Sequence, residues 1–573
     1  MSEAAERQSD PYRGAPVAQA RAANGALCSL ALLAQGEKLQ RALLPAGEHI
    51  HVAIGHGMSN SVMIEAPDGL IIIDTGDSEQ EAREHMAAFR TVSDKPVKAV
   101  IYSHSHYVFG TAAWLDRADG ELEVWAHAKT DANVNEIAAE IGPAYRRRAM
   151  QMFGYFLPDD GDDAMPHYGL GIEFYHRDRR AKIGYLKPTR TVDAECEHRI
   201  AGLLVRFIPS PSDSDDTLII QLPELDAVVN NHCWPALFNV YTLRGERYRD
   251  PLAYVAGIDR ILEMDPEHLV GVHGPPVTPR ANARQAARDQ RDAVQFIWDQ
   301  TVRGINDGLA LEDIVARVRL PAHLNESPWI PQAYGELAYH VRGVYNGLFG
   351  WYEMDASRLH PLPPAEASSR TIDAMGGREA VVLRVRDALA AQDWSWAAEL
   401  AAHLVRAEPN DDQGRQLKAQ ALRAIAQVTS AANTRSVCLT EALDLERRID
   451  ILAATPWRFG RLRVLGAEPS RFVRALRVRL DPDRAASVRA SVSFTFTDVG
   501  ARCGYEIDRG IARFQEPGPV EGDVSLTLDL PAWADWVDGH ISLTEAVAAG
   551  RIQVGPSLAE AIAVLGVFDR LAL

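Results

Sequence analysis

Short apolar runs separated by turns fill the first half of the chain and predict β-strands. Two of these runs, residues 61–65 and 70–73, flank an Asp-Gly turn, a combination typical of a β-hairpin. A serine followed by two early glutamates predicts a helix over residues 78–91, and the next apolar run, residues 97–102, predicts another strand. Strands and helices continue to alternate up to about residue 273, which predicts an α/β domain.

The pattern changes to helical periodicity from about residue 281. Residues 379–408 and 411–428 space their apolar positions three and four apart and predict a helical hairpin. Two helices alone cannot bury both faces, so we expect this hairpin to contact another element or another subunit. From about residue 440 the sequence alternates again, for example over residues 490–497 and 524–530, and then becomes helical and apolar. This last segment predicts an α+β domain.

The composition is that of an ordinary globular protein. The chain has 573 residues, of which 47% are hydrophobic and 24% charged, and its formal net charge is -18. This acidic balance argues against nucleic acid or an anionic membrane as the main partner, and we expect no membrane span because every apolar run falls short of ~20 residues. The acidic start lacks a secretory signal, so we expect cytoplasmic residence. Five scattered cysteines predict reduced thiols: Cys28, Cys196, Cys233, Cys438 and Cys503.

The segment Val100–Thr111 carries the most specific chemistry in the sequence. It reads Val-Ile-Tyr-Ser-His-Ser-His-Tyr-Val-Phe-Gly-Thr, a buried strand that delivers His104 and His106 to the following loop. Ligands at strand ends along one edge are typical of sites in α/β folds. Asp74, which ends the preceding apolar run, is expected to brace this loop rather than to take part in chemistry.

Three blocks of sequence together resemble the type III alkylsulfatase family, enzymes that hydrolyse linear alkyl sulfate esters. Lys95–His106 matches the approach to the metal loop of that family. Phe238–Gly245 contains Asn-Val-Tyr-Thr-Leu-Arg-Gly, which matches the family's Asn-x-Tyr-Thr-Leu-Arg-Gly. The third block, with segments at Tyr334, Val341–Trp351 and Pro361–Pro364, matches its helical dimerisation domain.

The resemblance implies a fold for nearly the whole chain. After an N-terminal extension over residues 1–45, it implies a metallo-β-lactamase αββα sandwich over residues 46–280. An all-α alkylsulfatase dimerisation domain follows over residues 281–435, and an α+β domain similar to sterol carrier proteins completes the chain over residues 436–573. The dimerisation domain implies a homodimer.

The sequence departs from the family at the metal ligands. The metal loop in hydrolases of this fold is His-x-His-x-Asp-His, and Val108 and Phe109 replace its Asp and last His. Alignment places Ser212 opposite a metal-binding Glu, with Asp213 one position away. Asn231, beside His232, falls opposite a bridging Glu, and His273 matches a final His. We therefore expect no second metal ion.

A catalytic zinc site takes three protein ligands and keeps one position open for water. His104 and His106 provide two of them, and further ligands are sought among Asp213, Asp216, His232 and His273. The expected cofactor is one divalent metal ion, zinc in the first place and manganese or iron as alternatives, held by His104, His106, Asp213, His232 and His273. Another interpretation leaves the first two histidines as a metal-free pair in a polar pocket.

The anion-binding residues are better preserved. Asn239 and Arg244 match family residues that hold the sulfate group, and an arginine fork suits an oxyanion. Tyr185 lies in a segment that resembles another substrate contact, although a packed aromatic explains it equally well. The sequence thus predicts an alkylsulfatase-like metalloenzyme with His104, His106 and Asp213 as catalytic residues, acting on a small anionic substrate with or without an alkyl chain.

Two other interpretations stay open at the level of sequence. The chain could be a non-hydrolytic biosynthetic or redox enzyme that reuses the fold with a different metal or none. It could also be a catalytically silent binding or scaffold protein, assembled through its helical region, whose tail binds a lipid-like ligand. Trp533 and Trp536 suit such a lipid cavity, but they suit an ordinary core as well.

Overall fold

The chain divides into two compact units. The first comprises the chain up to Asp131 and Arg148–Asp450, and the second comprises Ala132–Arg147 and Ile451–Leu573. The predicted domain boundaries at residues 45, 280 and 435 all fall within the first unit and stay a prediction. The computed structural model describes residues 10–136, 140–173, 182–455, 459–520 and 522–573.

Two β-sheets form the N-terminal half of the first unit. They follow a small antiparallel pair, β1 (Gln19–Arg21) and β2 (Leu27–Ser29). The seven-stranded sheet contains, in spatial order, β3 (Ala42–Pro45), β4 (Ile50–Ile54), β5 (Ser61–Ala66), β6 (Gly69–Ile73), β7 (Val97–Ile101), β8 (Ala118–His127) and β9 (Arg190–Val192). The five-stranded sheet contains β10 (Cys196–Ile200), β11 (Leu203–Pro209), β12 (Leu218–Leu222), β13 (Ala227–Asn230) and β14 (His268–Gly271). Strands β6 to β9 are parallel, as are β13 and β14, and the remaining pairs are antiparallel.

Helices complete the sandwich on both outer faces. The helices in this part of the chain are α1 (Leu30–Lys38), α2 (Glu79–Phe89), α3 (Thr130–Glu136), α4 (Gly142–Met152), α5 (Pro251–Met264) and α6 (Arg280–Asn306), of which residues 132–147 in α3 and α4 belong to the second unit. Ser78 caps α2 as predicted, because its hydroxyl accepts the backbone N–H of Glu81 at 3.2 Å. Alternate residues of the strands bury opposite faces, so one face of each sheet contributes to the core between the sheets. That core contains Val52, Ile71, Ile101, Phe207, Ile220 and Val229.

The smaller sheet packs its other face against α5 and α6. Ile208, Ile219 and Val228 point to that side and share an apolar cluster with Tyr254 of α5 and Ala287 of α6. The order helix, sheet, sheet, helix confirms the predicted αββα sandwich.

Helices make up the rest of the first unit and confirm the predicted all-α region. They are α7 (Leu311–Arg317), α8 (Ala322–Asn325), α9 (Leu337–Phe349), α10 (Pro364–Ala374), α11 (Arg378–Ala390), α12 (Trp394–Ala407), α13 (Asp412–Val428) and α14 (Ala432–Leu445). The predicted helix over residues 379–408 is in fact two helices. Gln392 has a left-handed φ of 59°, and the Asp393 side chain caps α12, so the chain turns between α11 and α12.

The second unit has the α+β character predicted for the last segment of the chain. Its five-stranded sheet has the spatial order β17 (Ile511–Gln515), β16 (Ala501–Asp508), β15 (Arg489–Phe496), β18 (Val524–Leu528) and β19 (Ile552–Gly555). Its helices are α15 (Ile451–Ala454), α16 (Arg461–Leu465), α17 (Pro469–Ala475), α18 (Leu530–Val537), α19 (Leu543–Ala548) and α20 (Leu558–Leu565). Trp533 and Trp536 are fully buried in its apolar core. The likeness to sterol carrier proteins stays a prediction.

Two further observations concern the length and polarity of the helices and the cysteines. In the described parts of the chain, every helix is too short or too polar to cross a membrane. All five cysteines are free thiols, as the absence of paired spacing predicts.

Candidate metal and anion site

Asp74 braces the loop that carries the two histidines. It follows strand β6 with a left-handed φ of 58°, a conformation that aspartate tolerates better than most residues. One carboxylate oxygen accepts the backbone N–H of Ser103 at 2.8 Å, and the other accepts the Ser103 hydroxyl at 2.6 Å. Burial raises the pKa of Asp74 to about 7. The structure thus confirms the bracing contact predicted for this carboxyl.

His104 is held in one orientation by the same serine. Its Nδ1 lies 2.8 Å from the Ser103 hydroxyl oxygen. Because that hydroxyl donates to Asp74, its oxygen accepts a hydrogen bond from the Nδ1–H of His104, and Nε2 keeps its lone pair. Burial lowers the pKa of His104 to about 4, so the ring is neutral at pH 7. Nε2 is buried and has no hydrogen-bond partner among the described residues, so its lone pair is available to a ligand.

His106 lies between two carboxylates. Its Nδ1 is 3.1 Å from Oδ2 of Asp213, and its Nε2 is 3.3 Å from Oε1 of Glu246. Burial alone lowers the pKa of a histidine, but the two carboxylates prevail and raise the pKa of His106 to about 9. In the protein without a metal, this imidazole is therefore a cation that donates to both acids.

Asp213 reaches the histidines from the loop between β11 and β12. Its Oδ1 accepts the amide of Asn231 at 2.6 Å and lies 3.8 Å from Nε2 of His104. Burial opposes the charge, but His106 and His104 hold the pKa of Asp213 well below its usual range. Ser212, the residue aligned with the family's Glu, instead contacts the Thr217 hydroxyl at 2.9 Å. The loop therefore brings Asp213, and not Ser212, to the histidines.

The described residues contain a single cluster of three or more acidic, histidine or cysteine side chains whose ligand atoms lie within 4.8 Å of one another: His104, His106 and Asp213.

Two other predicted ligands, His232 and His273, lie outside this cluster. His232 places its Nε2 3.1 Å from the Ser210 hydroxyl. His273 places its Nδ1 2.8 Å from the carbonyl oxygen of Met58, and its buried Nε2 has no hydrogen-bond partner in the described structure.

Asp216 is buried in the same loop as Asp213 but contacts different residues. Its carboxylate accepts the Ser105 hydroxyl at 3.1 Å and the Thr130 hydroxyl at 2.7 Å. These bonds tie the β11–β12 loop to the histidine loop and to the start of α3. Asp216 thus supports the site and does not join the three-residue cluster.

Apolar and aromatic side chains line the loop after His106. The ring centroid of Tyr107 lies 5.4 Å from those of both His104 and His273, in edge-to-face contacts. Val108 is fully buried, and Phe109 is nearly so. Neither side chain carries a donor atom for a metal ion, so both positions contribute apolar surface to this loop.

The predicted anion anchor Arg244 is bonded to an acid of the same loop. Its Nη2 donates to both oxygens of Glu246, at 3.1 and 3.0 Å. Arg249 donates through Nη2 to Glu246 at 2.5 Å and through Nη1 to the carbonyl oxygen of Asn239 at 2.6 Å. Burial opposes ionisation, but the two arginines hold the pKa of Glu246 well below its usual range. The Asn239 Oδ1 is buried without a hydrogen-bond partner among the described residues.

The other predicted substrate contact lies apart from this arginine pair. The hydroxyl of Tyr185 donates to Oδ1 of Asp131 at 2.9 Å, and its ring lies 6.2 Å from that of Tyr102. Sequence patterns give little indication of Glu246 and Arg249, which follow the Asn-x-Tyr-Thr-Leu-Arg-Gly motif. The feature of the sequence that indicates Glu246 is its position two residues after Arg244, which is already assigned to anion binding.

Comparison with known proteins agrees with this architecture. Residues 54–185 match the model of the metallo-beta-lactamase superfamily, and residues 310–448 match the model for alkyl sulfatase dimerisation. A linear primary-alkylsulfatase of Pseudomonas sp. (strain ATCC 19151) is 33% identical over 522 residues, which cover 88% of this chain and 98% of the relative. An (R)-specific secondary-alkylsulfatase of Pseudomonas sp. is 28% identical over 530 residues, which cover 89% of this chain and 79% of the relative.

A solved structure extends the likeness to the fold. The stereoselective inverting sec-alkylsulfatase Pisa1 from Pseudomonas sp. aligns with a TM-score of 0.84 and 25% identity, covering 95% of this chain and 87% of that chain. The two family models, the relative that matches over almost its whole length and this structure all indicate the same family. The chain belongs to the alkylsulfatase family of the metallo-β-lactamase superfamily and is an enzyme of this hydrolase type.

Proposed function

We propose that this protein is an alkylsulfatase-type hydrolase with a single divalent metal ion. His104, His106 and Asp213 hold the ion, and Arg244 with Asn239 orients the anionic group of the substrate. The observation that carries the proposal is the buried Nε2 of His104, which has no hydrogen-bond partner in the described structure while the Asp213 carboxylate lies 3.8 Å away. An unpaired buried lone pair costs stability unless another group satisfies it.

The donor set fits a divalent cation. Two imidazoles and one carboxylate match the three protein ligands of catalytic zinc sites, and manganese or iron accepts the same donors. When bound, such an ion acts as a Lewis acid and lowers the pKa of water. Val108 and Phe109 supply no ligand atom for a second ion, so we propose one metal per chain.

The chain's own residues position the reacting groups. Asp74, acting through Ser103, keeps a proton on Nδ1 of His104 and so keeps Nε2 available. Asn231 fixes the orientation of Asp213 through the 2.6 Å bond to its Oδ1. Nη2 of Arg244 lies 3.4 Å from Nε2 of His106, and Nη2 of Arg249 lies 4.0 Å from Oδ2 of Asp213, so both arginines place positive charge where an anionic substrate gains from charge-assisted hydrogen bonds.

We propose an alkyl sulfate ester as the substrate class. This proposal rests on two observations. The relatives are named as a linear primary-alkylsulfatase and an (R)-specific secondary-alkylsulfatase, and this chain has the arginine pair Arg244 and Arg249. A sulfate ester carries one negative charge and three terminal oxygens, which suit the donors of two arginines.

We also propose that the chain forms a homodimer through its helical region. Residues 310–448 match the dimerisation model. The stretch from the last residues of α9 to Met354, here called the 348–354 segment, exposes a run of large apolar side chains, with Trp351 68% and Met354 83% exposed. Exposed apolar runs of this size mark interfaces.

One observation favours a second function. His106 already forms charge-assisted contacts with Asp213 and Glu246 at 3.1 and 3.3 Å, so these three groups satisfy one another without a metal. A non-hydrolytic enzyme that uses a different metal, or none, is consistent with this arrangement. Metal content together with sulfate release from an ester separates the two functions.

Elemental analysis of the purified full chain, paired with turnover, tests the proposal. We expect about one equivalent of a divalent transition metal per chain, loss of that metal in His104→Ala and Asp213→Ala, and sulfate release from a medium-chain alkyl sulfate. His323→Ala, which changes an exposed histidine of α8, is the matched control and keeps the metal. Metal below about a tenth of an equivalent after reconstitution with zinc, manganese or iron contradicts the single-metal site. A loaded site without sulfate release favours the second function.

A further inference from the structure

We propose that Glu246 is an internal anion that occupies the sulfate subsite of this enzyme, and that an anionic substrate binds by displacing it. The inference rests on the proposed function, since it concerns the same arginine pair. It adds a residue that sets how tightly the site binds anions.

The Glu246 carboxylate is bound in the way an anionic ligand is bound. Its Oε1 accepts from Arg244 at 3.1 Å and lies 3.3 Å from Nε2 of His106. Its Oε2 accepts from Arg244 at 3.0 Å and from Arg249 at 2.5 Å. Both oxygens thus contact cationic groups, and only 10% of the side chain is exposed. Charge-assisted hydrogen bonds of this kind are stronger than hydrogen bonds between neutral groups.

The same donors are those that the proposed substrate requires. Arg244 directs Nη2 to Glu246, and Arg249 uses Nη2 for Glu246 and Nη1 for the Asn239 carbonyl. Glu246 already takes the Nη2 donors of both arginines, so a second anion added beside it finds these donors occupied and meets the negative charge of Glu246 at short range. Exchange of one anion for the other keeps the charge balance, so substrate and Glu246 compete.

The backbone next to Glu246 allows such an exchange. Gly245 has a φ of 83°, and a Cβ placed there meets only the Arg148 side chain, at 3.8 Å. Residues 246–250 contain no helix or strand before α5 begins at Pro251. Glu246 therefore follows a glycine with open space around it and lies in an irregular loop, where a change of backbone angles costs little.

Binding of inorganic sulfate to the metal-free full chain tests the inference. We expect the sulfate dissociation constant, measured by isothermal titration calorimetry, to fall at least about tenfold in Glu246→Gln and in Glu246→Ala relative to the unmodified protein. Glu263→Gln, which changes an exposed glutamate of α5, is the matched control and leaves the constant unchanged. An unchanged or weaker affinity in the folded Glu246→Gln protein overturns the inference.

A double variant locates the bound anion. Arg244→Ala combined with Glu246→Ala loses the gain in affinity if sulfate replaces Glu246 on Arg244, and a retained gain overturns the inference. Glu246→Ala leaves two buried arginines without their acid, so its melting temperature is recorded with and without sulfate. A sulfate-induced increase in melting temperature that is larger than in the unmodified protein supports the inference. Sulfate binding needs no turnover. A variant that gains sulfate affinity while no form of the protein releases sulfate from an ester supports the role of Glu246 and contradicts the proposed hydrolysis.

Discussion

The hydroxyl oxygen of Ser103 lies 2.8 Å from Nδ1 of His104, and this contact determines which ring nitrogen is free. The serine donates its proton to Asp74 at 2.6 Å, so it accepts from the imidazole. The carboxyl thus acts on the histidine through one hydroxyl. This arrangement, in which an acid outside the ligand set orients a ligand, is common around metal sites.

Ser103→Ala is expected to weaken metal binding by about 10- to 100-fold, because His104 loses the acceptor that fixes its proton on Nδ1. Titration of the metal-free protein with zinc against a competing chelator measures the change. Ser368→Ala is the matched control, because Ser368 is also buried and lies 3.2 Å from Nδ1 of His403 in the helical region. Equal zinc affinity in Ser103→Ala and the unmodified protein contradicts the role given to this serine.

The sequence predicts the frame of the site better than its ligands. Apolar runs and the histidine pair suffice to place His104 and His106 after β7, because strand ends in this fold converge on one edge. Position by position, however, the alignment places Ser212, and not Asp213, opposite the metal-binding Glu of the family. The course of the β11–β12 loop decides between them, through the bond of Asn231 to Asp213, and such a contact between distant segments leaves no periodic pattern in sequence.

Loop conformation also limits the prediction of the anion subsite and of the helices. Arg244 is predicted from its motif, but the motif carries no information on Glu246, whose side chain reaches Arg244 because the loop turns back at Gly245. In the helical region, apolar spacing runs through Gln392 without interruption. Helix α11 nevertheless ends at Ala390, and Gln392 takes a left-handed φ before Asp393 caps α12, a turn that apolar spacing alone does not indicate.

Trp533→Ala is expected to destabilise the second unit by about 3–5 kcal/mol, because the indole is fully buried and its loss leaves a large cavity. Its ring centroid lies 5.5 Å from those of both Phe494 and Trp536, so these rings lose their packing partner. Chemical unfolding followed by tryptophan fluorescence measures the change. Ile511→Ala, at an exposed strand position of the same unit, serves as the control. A loss below about 1 kcal/mol in Trp533→Ala contradicts the packed core and favours a cavity that admits ligands.

Charged substitutions in the 348–354 segment are expected to dissociate the proposed homodimer. Trp351→Asp places a charge where the exposed indole is proposed to be buried against the partner, and a buried unpaired charge is costly. Sedimentation velocity across a range of concentrations gives the oligomeric state, and we expect a rise of at least tenfold in the dimer dissociation constant. Val520→Asp changes an equally exposed apolar residue of the second unit and leaves the constant unchanged. A monomeric unmodified protein, or a Trp351→Asp variant that stays dimeric, contradicts this interface.

The stability of the metal-free protein is expected to depend on pH through His106. Its pKa is raised from about 6.5 in the unfolded chain to about 9 in the folded protein, so its contribution is fully present below pH 6.5 and is lost as the pH rises through 9. The shift corresponds to about 3 kcal/mol at most. Urea unfolding of the unmodified protein and of His106→Gln, at intervals from pH 6 to 9.5 with chelator present, measures it. The difference in unfolding free energy between the two proteins should shrink across this range, because glutamine does not titrate. A difference that stays constant contradicts a protonated His106 between Asp213 and Glu246.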